Sequence, residues 1–124
     1  MNQANESGFM HLIRASGYSW DGLRAAWSHE IAFRMEVALC SLLMPVGIWL
    51  GQSAVERSLL VGVLLLVLIT ELMNSAIEAV VDRHGPEWHT LAKRAKDLGS
   101  AAVFMAVGLA LLVWGMVLYE SYLA

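Results

Sequence analysis

Charge-free stretches divide the chain. Residues 98–119 form an uncharged run of 22 residues, about 33 Å as a helix against a hydrocarbon core of about 30 Å. Residues 37–55 form a second run, of 19, with Pro45 inside it and Gly47 and Gly51 towards its end. Proline is tolerated in a span because neighbouring helices or water re-satisfy the freed carbonyl, so this run predicts a kinked span. Residues 58–70 are uncharged but number only 13. They reach across a membrane only by continuing through Glu71, Asn74, Ser75 and Glu78 towards Asp82. A charge at that depth costs at least about 2.5–3.5 kcal/mol, which makes Glu71 and Glu78 functional candidates by default.

Before the first span, Phe9, Leu12, Ile13, Trp20, Leu23 and Trp27 recur mostly at three- and four-residue steps, with Arg14, Asp21 and Arg24 between them. That spacing predicts an amphipathic helix at the membrane interface, broken near Gly17. Tyr18, Trp20 and Trp27 suit an aromatic belt. The first 36 residues lack the basic start, apolar core and small-residue cleavage site of a signal peptide. Gly85-Pro86 is the strong break between the last two spans. The expectation is an all-α membrane protein in one domain, 1–124, with a surface helix at about 6–27 and spanning helices at about 30–50, 56–83 and 92–119.

Composition agrees. The chain of 124 residues is 58% hydrophobic and 15% charged, against about 45–50% and 25% in soluble domains. A net charge of −3 leaves no basic surface for nucleic acid. The single cysteine, Cys40, excludes an intrachain disulfide framework. Lysine and arginine set the orientation. Arg14, Arg24 and Arg34 precede the first span, and Arg83, Lys93, Arg94 and Lys96 lie between the second and third, whereas the loop between the first two carries only Arg57. This bias places the amino terminus in the cytoplasm and the carboxyl terminus outside.

On a helix, Glu71, Asn74, Ser75, Glu78 and Asp82 fall at i, i+3, i+4, i+7 and i+11 and share one face. A polar stripe on an apolar helix must face protein or water rather than lipid. Asn and Ser alone would read as interhelical hydrogen-bonding devices. With two glutamates and an aspartate added, the stripe reads better as hard oxygen ligands for a divalent cation such as Mg²⁺, which takes one or two carboxylates plus waters and phosphate oxygens. Glu30, just before the first span, is placed to supply a carboxylate from a second helix. Gly17 and Gly22 have P-loop spacing, but Leu23-Arg24 stands where Lys-Ser/Thr is required, so there is no Walker motif. His11, His29, His84 and His89 show no metal-ligand spacing. Gly47 and Gly51, and Ala102, Ala106 and Ala110, allow close helix approach. Three spans enclose little volume, which predicts an oligomer.

The run Glu71-x-x-Asn74-Ser75-Ala76-Ile77-Glu78-x-x-Val81-Asp82 resembles the signature of the prokaryotic diacylglycerol kinases, small integral-membrane lipid kinases. The stretch from Arg14 through Tyr18, Trp20 and Arg24 to Trp27 resembles the surface helix of the Gram-negative members. Glu30, Phe33-Arg34 and the segment from Ala95 through Lys96-Asp97, Gly99 and Ser100 extend the likeness over essentially the whole chain. The resemblance implies a homotrimer in the bacterial inner membrane, with the carboxyl terminus periplasmic and active sites at subunit boundaries. It implies phosphoryl transfer from MgATP to the primary hydroxyl of diacylglycerol.

By residue, it implies Glu71 as general base and Glu30 and Glu78 as metal ligands beside the phosphates. Tyr18, Glu30, Glu78, Glu87, Trp88, His89, Lys96 and Asp97 are implied as ATP contacts. Arg14, Ala15, Trp20, Arg24, Trp27, Arg34, Glu71, Asn74 and Ser100 are implied around the lipid. Position 11 departs from the pattern: an arginine is expected beside the nucleotide, and His11 stands there. A histidine can still donate to phosphate, without a guanidinium's paired donors. Two alternatives stand beside this reading. One is undecaprenol kinase, the activity of Gram-positive relatives. The other, from a different class, is a small proton-coupled efflux transporter with Glu71 as relay, which the clustering of Glu78, Asp82, Lys96 and Asp97 at one membrane face disfavours.

Overall fold

The structure is a computed structural model that describes residues 7–124. Helix α1, Gly8–His29, begins at Ser7, whose Oγ accepts the Met10 N–H at 3.3 Å and so satisfies one of the donors every helix start leaves open. The break expected near Gly17 does not occur, and α1 runs through it without interruption. One glycine costs a helix only about 1 kcal/mol, too little to end a segment whose neighbours on both sides stay helical. Ser16 and Ser19, flanking it, return their hydroxyl protons to the Leu12 and Ala15 carbonyls of the same helix.

A single extended residue, Glu30 (φ −115°, ψ 106°), separates α1 from α2, Ile31–Leu50. Neither Gly nor Pro imposes this corner. Arg34 Nη1 donates to the Trp27 carbonyl at 2.9 Å, covering one of the acceptors that the end of α1 leaves without a helical partner. Pro45 lies within α2. Helix α3, Ala54–Asp82, is capped by Ser53, whose Oγ accepts the Glu56 N–H at 3.1 Å. Gly85, at φ 93°, takes a left-handed conformation that side chains with a Cβ rarely adopt. Helix α4, Thr90–Leu118, follows and closes in one π-helical turn, Tyr119–Leu123. The described residues are all helix and connection, and three helical stretches, Ile31–Leu50, Ala54–Asp82 and Thr90–Leu123, are long and apolar enough to cross a membrane.

Helix α3 is the centre. Its buried positions, Leu60, Val63, Leu64, Val67 and Glu71, repeat at three- and four-residue steps and form one seam. Val63 and Val67 meet Ala106 and Ala110 of α4, with Leu66, Val113 and Trp114 closing around them. Small residues on α4 let the helices approach, since helix association in lipid relies on close packing. Trp114 Nε1 donates to the Leu60 carbonyl at 3.0 Å, and Gly47 of α2 lies flat against both. Most other apolar side chains of α4, including Phe104, Met105 and Leu111, face outward, where lipid or further protein is their natural neighbour. At the end remote from Glu71, the Glu56 carboxylate accepts the Gln52 N–H at 2.6 Å and the Ser121 hydroxyl at 3.1 Å. Arg57 and Tyr122 donate to the Ile48 and Leu50 carbonyls at the end of α2.

A Cβ at Gly47 would stand 3.2 Å from both the Leu60 Cβ and Trp114 Cζ2. Gly47→Leu should therefore overpack this junction and cost about 1–3 kcal/mol. A fall in the melting temperature in detergent micelles is expected, and an unchanged value would mean that the three helices are not locked at this point.

Candidate functional site

The buried seam of α3 does not stop at the last apolar residue. Continuing the same steps from Leu60, Val63, Leu64 and Val67 leads to Glu71, then Asn74, Ser75, Glu78 and Asp82. The face that packs the helices in one half therefore carries the polar side chains in the other. Glu71 is 7% exposed and is the buried charged residue among those described. Glu36 of α2 lies within hydrogen-bonding reach of it, and Glu30 and Glu78 lie within Coulombic range. Glu36 Oε2 is itself buried without a partner. Two carboxyl groups can bond to each other only through a proton, since carboxylates are acceptors alone.

Asn74 is held between helices. Its Nδ2 donates to Glu78 Oε1 at 3.4 Å, while its Oδ1 is buried without a partner and faces the buried Gly99 of α4. A Cβ at Gly99 would collide with that oxygen, so the absence of a side chain there is what lets α4 close on Asn74. Further along, Lys96 Nζ bonds Asp82 Oδ1 at 2.8 Å, joining the end of α3 to the start of α4, and Lys93 pairs with Asp97 on one helix face. Both pairs are exposed and add little stability; their effect is to fix where the cation stands.

Two cavities open at this end. One, of about 750 Å³, lies between the end of α3, the connection after it and the first turns of α4, and among its walls are Asp82, Glu87, Trp88, His89, Lys96 and Asp97. His89 Nδ1 also accepts the Leu91 N–H at 3.1 Å and caps α4. The other, of about 580 Å³, lies between α1 and α3, with Glu30 at the corner of α1 and Ser75 on α3. The first gathers five of the residues the sequence pointed to for nucleotide binding; Glu30 belongs to the second. His11, Tyr18 and Trp20 lie exposed along α1, and neither cavity reaches them or Arg14, Ala15, Arg24 and Trp27. Arg34 is engaged at the α1–α2 corner, and Ser100 is exposed beside Gly99.

Among the described residues, no three His, Cys, Asp or Glu side chains converge to hold a metal ion by themselves. Glu30 and Glu78 are oxygen donors around one buried glutamate. That donor set suits Mg²⁺, whose remaining positions go to water and substrate phosphates. Sequence reasoning missed Glu36. It lies within the span expected at about 30–50 and inside α2, but as the residue next to the charge-free run at 37–55 it drew no functional reading. The signal was a lone carboxylate inside a helix otherwise long enough to span.

The model of the family described as "Prokaryotic diacylglycerol kinase" matches residues 17–118. A protein named "Diacylglycerol kinase" from Escherichia coli (strain K12) is 49% identical over 118 residues, which cover 95% of this chain and 97% of that protein. Proteins of the same name from Haemophilus influenzae and Pseudomonas aeruginosa are 46% and 47% identical, over 91% of this chain and 96% and 92% of theirs.

The Asn74–Gly99 approach predicts a coupled pair. Gly99→Ala should lower stability by about 1–3 kcal/mol in the presence of Asn74, and clearly less in an Asn74→Ala background, where the obstructing oxygen is gone. Thermal unfolding of the four proteins of this double-mutant cycle measures the coupling. An equal loss in both backgrounds would show that the close approach is not what glycine serves.

Proposed function

The chain belongs to the prokaryotic diacylglycerol kinase family, and on that premise we propose that it transfers the γ-phosphate of MgATP to the primary hydroxyl of diacylglycerol, giving phosphatidic acid. The observation that carries this reading is the face of α3, which sets a buried glutamate beside a run of polar ligands at one end of a spanning helix. A lipid hydroxyl can reach that level from the bilayer, and a nucleotide can reach it from water. The diacylglycerol kinase name of the relatives supports diacylglycerol rather than undecaprenol as acceptor. The gathering of Asp82, Lys96 and Asp97 at the same end supports a kinase over a transporter, whose carboxylate serves both sides of the membrane.

Phosphoryl transfer demands positioning and charge neutralisation more than covalent chemistry. Glu71 accepts the proton of the lipid hydroxyl as its oxygen bonds to the γ-phosphorus. The bond between that phosphorus and the β,γ-bridging oxygen breaks, and ADP leaves. Glu36, against Glu71, positions its carboxyl and keeps water from it. Glu30 and Glu78 would hold Mg²⁺, which would neutralise the charge of the transferring phosphate. Asn74, donating to Glu78, fixes that ligand. Lys96, held by Asp82 at the cavity wall, places a cation for the phosphates, with Asp97, Glu87, Trp88, His89 and Tyr18 around the nucleotide. The lipid lies against Arg14, Ala15, Trp20, Arg24, Trp27, Arg34 and Ser100, with α1 as an amphipathic surface helix. A homotrimer in the bacterial inner membrane, amino terminus cytoplasmic and carboxyl terminus periplasmic, covers the outward apolar face of α4 and completes the sites at subunit boundaries.

Purified protein in mixed micelles, given MgATP and either diacylglycerol or undecaprenol, should phosphorylate diacylglycerol; no phosphate on either lipid would overturn the kinase reading. Glu71→Gln keeps the size of the side chain but cannot take the proton. It should lower kcat by about 10²–10⁴-fold with little change in the KM for MgATP, and a loss of only a few-fold would remove Glu71 as the base. Glu30→Gln and Glu78→Gln should each raise the Mg²⁺ concentration needed for half-maximal rate. Normal Mg²⁺ dependence in both would contradict the ligand assignment.

A further inference from the structure

Ser75 is the helical hydroxyl among the described residues whose oxygen is buried without a partner. Ser16, Ser19 and Ser58 each donate to the carbonyl four residues back, and Thr70 to that of Val67. This is the ordinary way a helical hydroxyl is satisfied in an apolar setting. The Ser75 Oγ makes no such bond, although it is buried. A buried hydroxyl without a partner is destabilising, so its position calls for a partner that the chain itself does not supply.

The surroundings indicate what that partner is. Ser75 lines the cleft of about 580 Å³ between α1 and α3, whose other walls include Leu23, Ala26, Leu72, Ala76 and Ala79. This is an apolar trough with few polar positions, and Glu30 is one of them. Ser75 lies four residues from Glu71 on the same helix face, so an occupant held there stands about one helical turn from the glutamate that receives the proton. Among the described residues of α1 only Ala26 is buried, so the wall facing Ser75 has the fewest buried side chains of the four helices. A ligand that suits such a trough is mostly hydrocarbon, carries an acceptor oxygen, and enters from the membrane.

Building on the kinase reading, we propose that Ser75 is a binding and specificity residue for the acceptor lipid, its hydroxyl donating to an ester carbonyl oxygen of the glyceride within the α1–α3 cleft. The bond tells ester-linked glycerides from ether-linked ones and sets the glycerol backbone at a fixed distance from Glu71. Because no group of the chain itself bonds the hydroxyl, its removal leaves no partner within the chain unsatisfied and the fold intact.

The test compares wild type with Ser75→Ala in mixed micelles. Each is given MgATP with either dioleoylglycerol or dioleylglycerol ether, which has the same chains but no carbonyl. Wild type should show a KM for the ester about 3- to 10-fold below that for the ether, the range one neutral hydrogen bond spans. Ser75→Ala should raise the ester KM to the ether value, leave the ether KM and the KM for MgATP unchanged, and melt at the same temperature as wild type or higher. Ser75→Thr, which keeps a hydroxyl, should retain the preference. Equal KM values for ester and ether in wild type, a preference that survives Ser75→Ala, or a lower melting temperature for Ser75→Ala would each overturn the proposal. Failure of wild type to phosphorylate either lipid would instead remove the kinase reading on which it rests.

Discussion

In hydrocarbon no water is present to satisfy a polar side chain, so every such group on a spanning helix must turn towards protein. That constraint organises this molecule through one face of α3. Leu60, Val63, Leu64 and Val67 give the face its packing against α2 and α4, and the same steps bring Glu71, Asn74, Ser75 and Glu78 inward. The apolar half fixes the rotation of the helix about its axis. Once rotation is fixed, the carboxylates have no freedom to point elsewhere. Trp114 and Gly47 lock the apolar half, and Gly99 admits Asn74 in the polar half. Packing and chemistry are thus set by a single choice of register.

Much of this was legible in the sequence because it follows from length and period. An uncharged run of 22 residues has few alternatives to a spanning helix. The 13-residue run before Glu71 is too short to cross without it, and that shortfall is what drew attention to the glutamate. The shared face of Glu71, Asn74, Ser75, Glu78 and Asp82 required only helical geometry. The glycine turn at Gly85 was marked by its neighbour Pro86, and the family match extends across residues 17–118.

What was not legible depends on contacts between distant segments. Glu36 sits at the margin of a charge-free run inside the expected span, and only the approach of α3 reveals that it meets Glu71. The role of Gly99 appears only when Asn74 is placed against it. The junction at Glu30 falls between the two helices expected at about 6–27 and 30–50, but how the corner is held, by Arg34 reaching back to Trp27, is an interaction no local propensity encodes. Gly17 misled in the opposite direction, since a glycine weakens a helix without ending one that its neighbours sustain. The orphan hydroxyl of Ser75 could be recognised only by contrast with residues whose hydroxyls bond to their own helix.

On this reading catalysis depends on the polar and apolar halves of α3 sharing one register. One alanine inserted between Leu68 and Ile69 keeps every side chain but turns the polar half by about 100° relative to the packed seam. The transfer of phosphate from MgATP to diacylglycerol by the purified insertion variant, in mixed micelles, is the direct measurement. The expected protein still inserts in the membrane as a helical chain and transfers phosphate at no more than a background rate. Activity within a few-fold of the uninterrupted chain would contradict this reading.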